Sequence, residues 1–294
     1  MTAQPVETGR RPLLVTRACP LCGRDNHDRP LLDIAPPQWR MKTCSGCGMT
    51  YLEVAPDVSE MFETFAWEKQ HGIENARRHA GLSAPAFKAR NAWRKFRPLP
   101  RKNVAALLDH FAEPGAVADV GCGAGHQLAE LGPQFSPVGI EISSVICREA
   151  EARLAHRDVR IVNADALGGL RAIEDQSLTG VVMRSFLEHH TEPAQILEET
   201  RRVLVPGGVA VIKVPNFASW NARLRGARWC GLRFPDHVNY FTPDTLRRMV
   251  QEAGLTVRAF GPTYRPATSD NMWMVAARPD GSAARGFERP AGRA

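Results

Sequence analysis

Val117-Ala-Asp-Val-Gly-Cys-Gly-Ala-Gly-His126 is the stretch on which the reading of this chain turns. An apolar run ends in a turn holding Gly121, Gly123 and Gly125, and apolar residues then recur at Leu128 and Leu131. That order means strand, tight turn and helix, the place where a doubly wound sheet takes its cofactor. Glycine is needed there because a Cβ would block positive φ and the close approach of backbone to a ligand. The spacing is G-x-G-x-G, unlike the G-x-G-x-x-G of pyrophosphate binders, and such a turn alone is a weak signal.

Outward from this turn, short apolar runs at Val138 to Ile142, Val159 to Val162, Val181 to Met183 and Val209 to Val214 alternate with helical segments. The alternation predicts a parallel sheet with crossover helices. Ser143 can cap a helix through Ile146, Ala150 and Leu154, and Thr242-Pro-Asp opens another that closes at Gly254. Two last strands, about Leu255 to Gly261 and Met272 to Ala277, complete a seven-stranded, mostly parallel α/β sheet. Carboxylates stand where its strands end. Glu141 lies at the end of the second strand, where it suits both hydroxyls of a ribose. Asn163-Ala-Asp165-Ala166 follows the third, where a carboxylate can accept from an adenine amino group.

Val117 to Gly125, Val138 to Ile142, Asn163 to Ala166 and Arg201-Arg-Val-Leu-Val-Pro-Gly-Gly208 together resemble the successive motifs of class I S-adenosylmethionine-dependent methyltransferases. The resemblance covers about Glu113 to Arg278 and implies a Rossmann-like fold with S-adenosylmethionine as cofactor. It further implies that Asp119, Gly121, Gly123 and Gly125 wrap the methionine moiety, that Glu141 holds the ribose, and that Asp165 with Ala166 flanks the adenine. A sulfonium already carries an activated methyl, so the protein need only align the acceptor and manage a proton.

Arg184-Ser-Phe-Leu-Glu188-His189-His190 resembles the Leu-Glu-His segment of ubiquinone-biosynthesis O-methyltransferases. A histidine there can take the proton from an acceptor hydroxyl, which makes His189 the leading catalytic candidate with Glu188 and His190 as neighbours. The other reading is that both histidines cap or pack the crossover starting at Pro193. Arg233-Phe-Pro-Asp-His237-Val-Asn-Tyr240-Phe-Thr-Pro also resembles an acceptor-side element, which adds His237 to the candidates, or else is a structured loop packed through Tyr240 and Phe241. The insert Phe217 to Leu232, with Trp220, Trp229 and its arginines, reads as a lid. Some relatives bind a divalent metal through Glu-x-x-Glu-His, but Ser185 occupies the first acidic position here, which argues against a catalytic metal.

Cys19-Pro-Leu-Cys22-Gly and Cys44-Ser-Gly-Cys47-Gly are two C-x2-C knuckles with 21 residues between them, a pattern for four thiolates around tetrahedral zinc. A closed four-cysteine site leaves no open position, so this Zn2+ is expected to be structural. It would staple a segment too poor in apolar residues to make its own core.

At 294 residues and 44% hydrophobic content, one catalytic domain with an accessory module is the prior. The expected organisation is a flexible lead-in at 1–17, a zinc ribbon at 18–52, a helical connector at 53–112, the methyltransferase domain at 113–279 and a flexible tail at 280–294. No stretch approaches the roughly 18 apolar residues of a membrane helix, and Met1 to Arg11 lacks a signal-peptide core, so a cytoplasmic protein without a membrane span is expected. The net charge of +7 is local, with nine basic and no acidic residues between Asn75 and Leu108. That stretch, interleaved with Phe87, Trp93 and Phe96, raises a nucleic-acid substrate as an alternative, against the reading of a solvated basic helix face. The fourth strand lacks the Asn/Asp-Pro-Pro-aromatic signature of many base methylases, which favours a small-molecule acceptor such as the hydroxyl of a sugar, phenol or secondary metabolite. A third reading, a catalytically silent binding or assembly protein, is opposed by the intact Gly121, Gly123, Glu141 and Asp165 set.

Overall fold

The computed structural model describes residues 13–57 and 102–280. Most of the expected helical connector, the basic stretch up to Arg101 and the tail from 281 lie outside the described residues. Among the described residues, no helix is long and apolar enough to cross a membrane.

The larger part is a seven-stranded sheet. Strands β5 (Gly115–Val120), β6 (Phe135–Glu141), β7 (Arg160–Asn163), β8 (Leu178–Arg184), β9 (Leu204–Pro215), β11 (Thr256–Ala259) and β12 (Asn271–Ala277) lie in the order β11-β12-β9-β8-β5-β6-β7. Only β12 pairs antiparallel to its neighbours, and the rest of the sheet is parallel. The chain leaves β5 toward β6 and β7, then returns to β8 on the other flank of β5. This reversal opens a crevice at the carboxyl ends of β5 and β8.

Both faces of the sheet are covered, which the strand sequences explain. Ala118, Val120, Val181, Met183, Ala210 and Ile212 face one cluster, with Leu170 of α4 (Ala166–Arg171), Ile196 and Leu197 of α5 (Pro193–Val203), and Leu246 and Met249 of α7 (Pro243–Glu252). Their sequence neighbours Val117, Val182, Val209 and Val211 face a second cluster, with Leu107 and Leu108 of α1 (Val104–Phe111), Leu128 of α2 (His126–Ala129) and Leu154 of α3 (Ser144–Leu154). Because side chains alternate along a strand, a strand buried on both faces must read as an unbroken apolar run. The strands extend beyond those runs: Phe135–Glu141 starts three residues ahead of Val138, since hydrogen bonding continues where Ser136 and Pro137 have broken the apolar pattern. The caps form where expected. Ser143 Oγ accepts from Ile146 N (3.4 Å) at α3, and Thr242 and Thr245 make a reciprocal capping box at α7.

The amino-terminal module is built from β1 (Leu14–Thr16), β2 (Met41–Thr43), β3 (Thr50–Leu52) and β4 (Val54–Pro56). Strand β1 pairs antiparallel with β4. Leu14–Thr16 therefore corrects the expectation of a flexible lead-in through 17: a three-residue strand is too short to show periodicity, and its partner lies some forty residues away. Lys42 and Glu53 are buried together, with Lys42 Nζ donating to Glu53 Oε1 (2.7 Å) and to the carbonyls of Asn26 and His27 (2.8 Å each). The remaining strand of this sheet comes from elsewhere in the chain. The two-residue β10 (Asn239–Tyr240) pairs antiparallel with β3, giving the order β10-β3-β2.

Candidate active site

The turn after β5 has the backbone its glycines allow. Gly121, Gly123 and Gly125 adopt φ of +72°, +53° and +76°. A Cβ on Gly121 would lie 2.8 Å from the Phe186 ring, whereas among the described residues nothing lies within 4 Å of one placed on Gly123. Gly123 thus borders open space, a cradle a ligand can enter. Glu141, at the end of β6, closes the neighbouring wall: its carboxylate accepts from Gly123 N (3.1 Å) and Ser143 N (3.0 Å). Asp119 is buried at the end of β5, and burial pushes its carboxyl up to about 7, with Arg184 opposing the shift and Glu141 adding to it. Asp165 is exposed at the head of α4, where Oδ1 accepts from Gly168 N (2.9 Å), and Ala166 is buried behind it. Asp119, Gly121, Gly123, Glu141 and Asp165 therefore line the carboxyl ends of three adjacent strands, β5, β6 and β7.

The histidines lie on the turn that follows β8. His189 Nδ1 donates to Asp236 Oδ1 (2.9 Å) and to the Asp236 carbonyl (3.0 Å), so the carboxylate orients the ring. Burial works against charge on His189, but the adjacent Asp236 carboxylate outweighs it and, helped by Glu188, holds the imidazole up at about 9. Asp236 is correspondingly held well below the usual carboxylate range despite its burial, by His189. His237 meets His189 edge to face, ring centroids 4.7 Å apart, and donates from Nδ1 to the Gly231 carbonyl (2.8 Å). Burial, with the charge on His189, pushes its pKa down to about 3. Glu188 is buried, with Oε1 3.9 Å from His189 Nε2 and Oε2 without a hydrogen-bond partner among the described residues, and burial raises its pKa. His190 turns away from this group. It is buried, accepts from Glu192 N on Nδ1 (3.0 Å) and is pushed down to about 4 by burial.

The structure thus brings Glu188, His189 and His237 together from two loops far apart in the chain, and adds Asp236, which the sequence reading passed over. The signal was present in Asp236-His237, but nothing local says that the aspartate, one residue before the histidine, reaches His189. Donor atoms of Glu188, His189 and His237 all lie within 4.8 Å of one another, a spacing that accommodates a divalent cation. Ser185, at the position where some relatives carry an acid, has φ +57°, and its hydroxyl oxygen accepts from Lys213 Nζ (2.7 Å).

In the amino-terminal module the four thiols converge. Cys19 Sγ is 3.4 Å from Cys47 Sγ, Cys22 Sγ is 3.5 Å from Cys44 Sγ, and all four sulfurs lie within 4.8 Å of one another. Tetrahedral Zn–S bonds of about 2.3 Å place sulfurs about 3.8 Å apart, so the cluster has the size zinc requires. Gly23 and Gly48, each just after a knuckle's second cysteine, adopt φ of +68° and +73° and donate to the carbonyls of Cys19 (2.9 Å) and Cys44 (3.0 Å).

Sheet order, turn and flanking carboxylates define a Rossmann-like α/β enzyme. The chain belongs to the methyltransferase domain family, whose model matches residues 92–259. A 37.1 kDa protein in a transposon of Streptomyces fradiae is 35% identical over 180 residues, 58% of this chain and 51% of that one. The chain spans about half the length of that relative. A ubiquinone biosynthesis O-methyltransferase of Thiobacillus denitrificans is 30% identical over 52% of this chain and 69% of its own. The same-named protein of Cupriavidus pinatubonensis is 28% identical over 58% and 74%. Among solved structures, a SAM-dependent methyltransferase from Methanosarcina mazei shares the fold with a TM-score of 0.50, at 18% identity over 61% of this chain and all of that one.

Proposed function

We propose that this enzyme methylates a hydroxyl of a small-molecule acceptor such as a sugar, phenol or secondary metabolite, with His189 as general base and Asp236 as the group that orients it. The observation that carries this reading is the His189 to Asp236 hydrogen bond of 2.9 Å on the turn after β8, whose Phe186 ring abuts Gly121. Relatives named as O-methyltransferases support oxygen as the methylated atom. Asp236 holds the proton on Nδ1, so Nε2 is the nitrogen that accepts from a hydroxyl once the ring has lost its second proton, which a pKa of about 9 places at alkaline pH. Glu188 and His237 line that nitrogen's side, where they exclude water and position the acceptor.

Bound S-adenosylmethionine supplies the methyl group on a sulfonium, and transfer to oxygen releases a neutral thioether. Glu141 would trade its amide partners in part for ribose hydroxyls, Asp165 and Ala166 would flank the adenine, and Asp119 with Gly121, Gly123 and Gly125 would hold the methionine moiety. The open side of Gly123 and the half-buried carboxylate of Glu141 support this seating. Cys19, Cys22, Cys44 and Cys47 would hold a structural zinc, supported by the sulfur spacing.

A panel of sugar and phenolic acceptors, with wild type, His189→Ala, Asp236→Asn and Glu141→Ala, tests the assignment. Turnover should fall roughly a hundredfold or more in His189→Ala, and less in Asp236→Asn, with cofactor affinity held within about twofold. Glu141→Ala should do the reverse and weaken cofactor binding. Wild-type turnover in His189→Ala would remove the base. A second reading has its own observation in the Glu188, His189 and His237 cluster, where a divalent cation would lower the pKa of the acceptor hydroxyl. A metal equivalent that survives loss of the ribbon cysteines but not His237→Ala would favour it.

A further inference from the structure

The acceptor-side loop leans on the amino-terminal module through one guanidinium. Arg17 Nε donates to the Leu52 carbonyl (2.9 Å), Nη1 to the Thr191 carbonyl (2.9 Å), and Nη2 to Asn239 Oδ1 (2.9 Å) and the Val238 carbonyl. These acceptors come from the ribbon strand β3, the turn carrying His189 and the loop carrying Asp236. A planar fork of donors suits such a junction, because it satisfies carbonyls from several segments at fixed angles. The segments are also tied to each other. Asn239 Nδ2 donates to the carbonyls of Leu187 (2.8 Å) and His190 (2.7 Å), Val238 N and Asn239 N both donate to Glu188 O, and Leu52 N donates to Val238 O (3.0 Å).

The connection runs back to the thiols. The Arg17 guanidinium lies 5.5 Å from the centroid of the Tyr51 ring. Tyr51 Oη accepts from Asn26 Nδ2 (3.2 Å), and Asn26 Oδ1 accepts from Ser45 N inside the second knuckle (3.1 Å). Asp236 stands two residues before Val238, so a shift of this loop acts directly on the His189 to Asp236 hydrogen bond. Gly121, Gly123 and Glu141, by contrast, are set by β5, β6 and the turns that follow them.

We propose that Arg17 is a positioning residue and that the ribbon strand β3 is a splint for the acceptor side. Together they hold 236–240 against 186–191, so methyl transfer depends on the ribbon and cofactor binding does not. The catalytic consequence rests on the base reading of His189, whereas the mechanical coupling does not.

Hydrogen exchange by mass spectrometry on the full-length, zinc-loaded protein tests the coupling, with Arg17→Met, Arg17→Lys and Asn239→Ala as variants and S-adenosylmethionine affinity measured on the same samples. Peptides covering 186–191 and 236–240 should exchange at least about tenfold faster in Arg17→Met and Asn239→Ala. Arg17→Lys should fall between these and wild type, because one ammonium cannot span all the acceptors. Cofactor affinity should stay within about twofold in every variant. Unchanged exchange at these peptides would overturn the proposal, as would cofactor affinity falling in step with faster exchange. If Arg17→Met does not accumulate as folded protein, Asn239→Ala decides on the same readout. Faster exchange together with full turnover in His189→Ala would leave the splint standing and remove only the base.

Discussion

Asp119 shows how a single buried carboxyl couples the site to pH. Its folded pKa of about 7 stands above the ordinary aspartate value because burial disfavours the charge. The folded state therefore holds a proton that the unfolded chain has lost, and stability contributed by this group falls as pH rises from the unfolded pKa through about 7. A cofactor with a cationic sulfonium and ammonium favours the ionised form, so its affinity should rise over the same window. Asp119→Asn should flatten both slopes, in melting of the free protein and in calorimetric titration; slopes equal to wild type would mean that another group governs them. Asp119, Glu141 and Asp165 were legible in the sequence because each follows an apolar run, where strand ends are cheap to locate. Asp236 was not, because its partner lies 47 residues away and only the folded loops bring them to 2.9 Å.

At the scale of the element, the strand-turn-helix from Gly115 to Ala129 separates two roles that its glycines share. Gly121→Ala adds a Cβ 2.8 Å from the Phe186 ring, on top of a left-handed backbone, and should cost stability of roughly 1–3 kcal/mol together with cofactor affinity. Gly123→Ala meets nothing within 4 Å among the described residues, so it should cost about 1–2 kcal/mol from its φ of +53° and weaken the cofactor by more than that loss. Paired melting and binding curves check the contrast, and equal ratios of the two effects in both variants would contradict it. Helix starts were readable in the same way. Ser143 and Thr242 are N-caps whose side chains satisfy amides within their own first turn, a local interaction that needs no tertiary partner.

For the whole molecule the two modules are one mechanical unit, since β10 of the catalytic part completes the ribbon's sheet and Cys19, Cys44, Met49 and Tyr51 share a hydrophobic cluster with Leu246, Met249 and Met272. Chelation of the ribbon metal should therefore lower the melting temperature of the entire chain, at roughly 2–4 °C for each kcal/mol lost in a protein of this size. Metal analysis alongside calorimetry checks this. Full metal loss with an unchanged melting temperature would show that the thiols hold nothing the fold depends on.

The amino-acid sequence alone determined the class of the fold, the Gly-rich turn and the convergence of two cysteine knuckles, because each is written in spacings of a few residues and in runs buried on both faces of a sheet. Resemblance to methyltransferase segments also named Glu188, His189 and His237. Tertiary structure alone decided that Asp236 partners His189, that a strand of two residues joins the catalytic part to the ribbon, and that Arg17 belongs to the packed structure. Those pairings span from 47 to 222 residues of chain. Contacts at such separations leave no periodic trace, since they depend on where whole elements dock and on which buried carbonyls then need a donor.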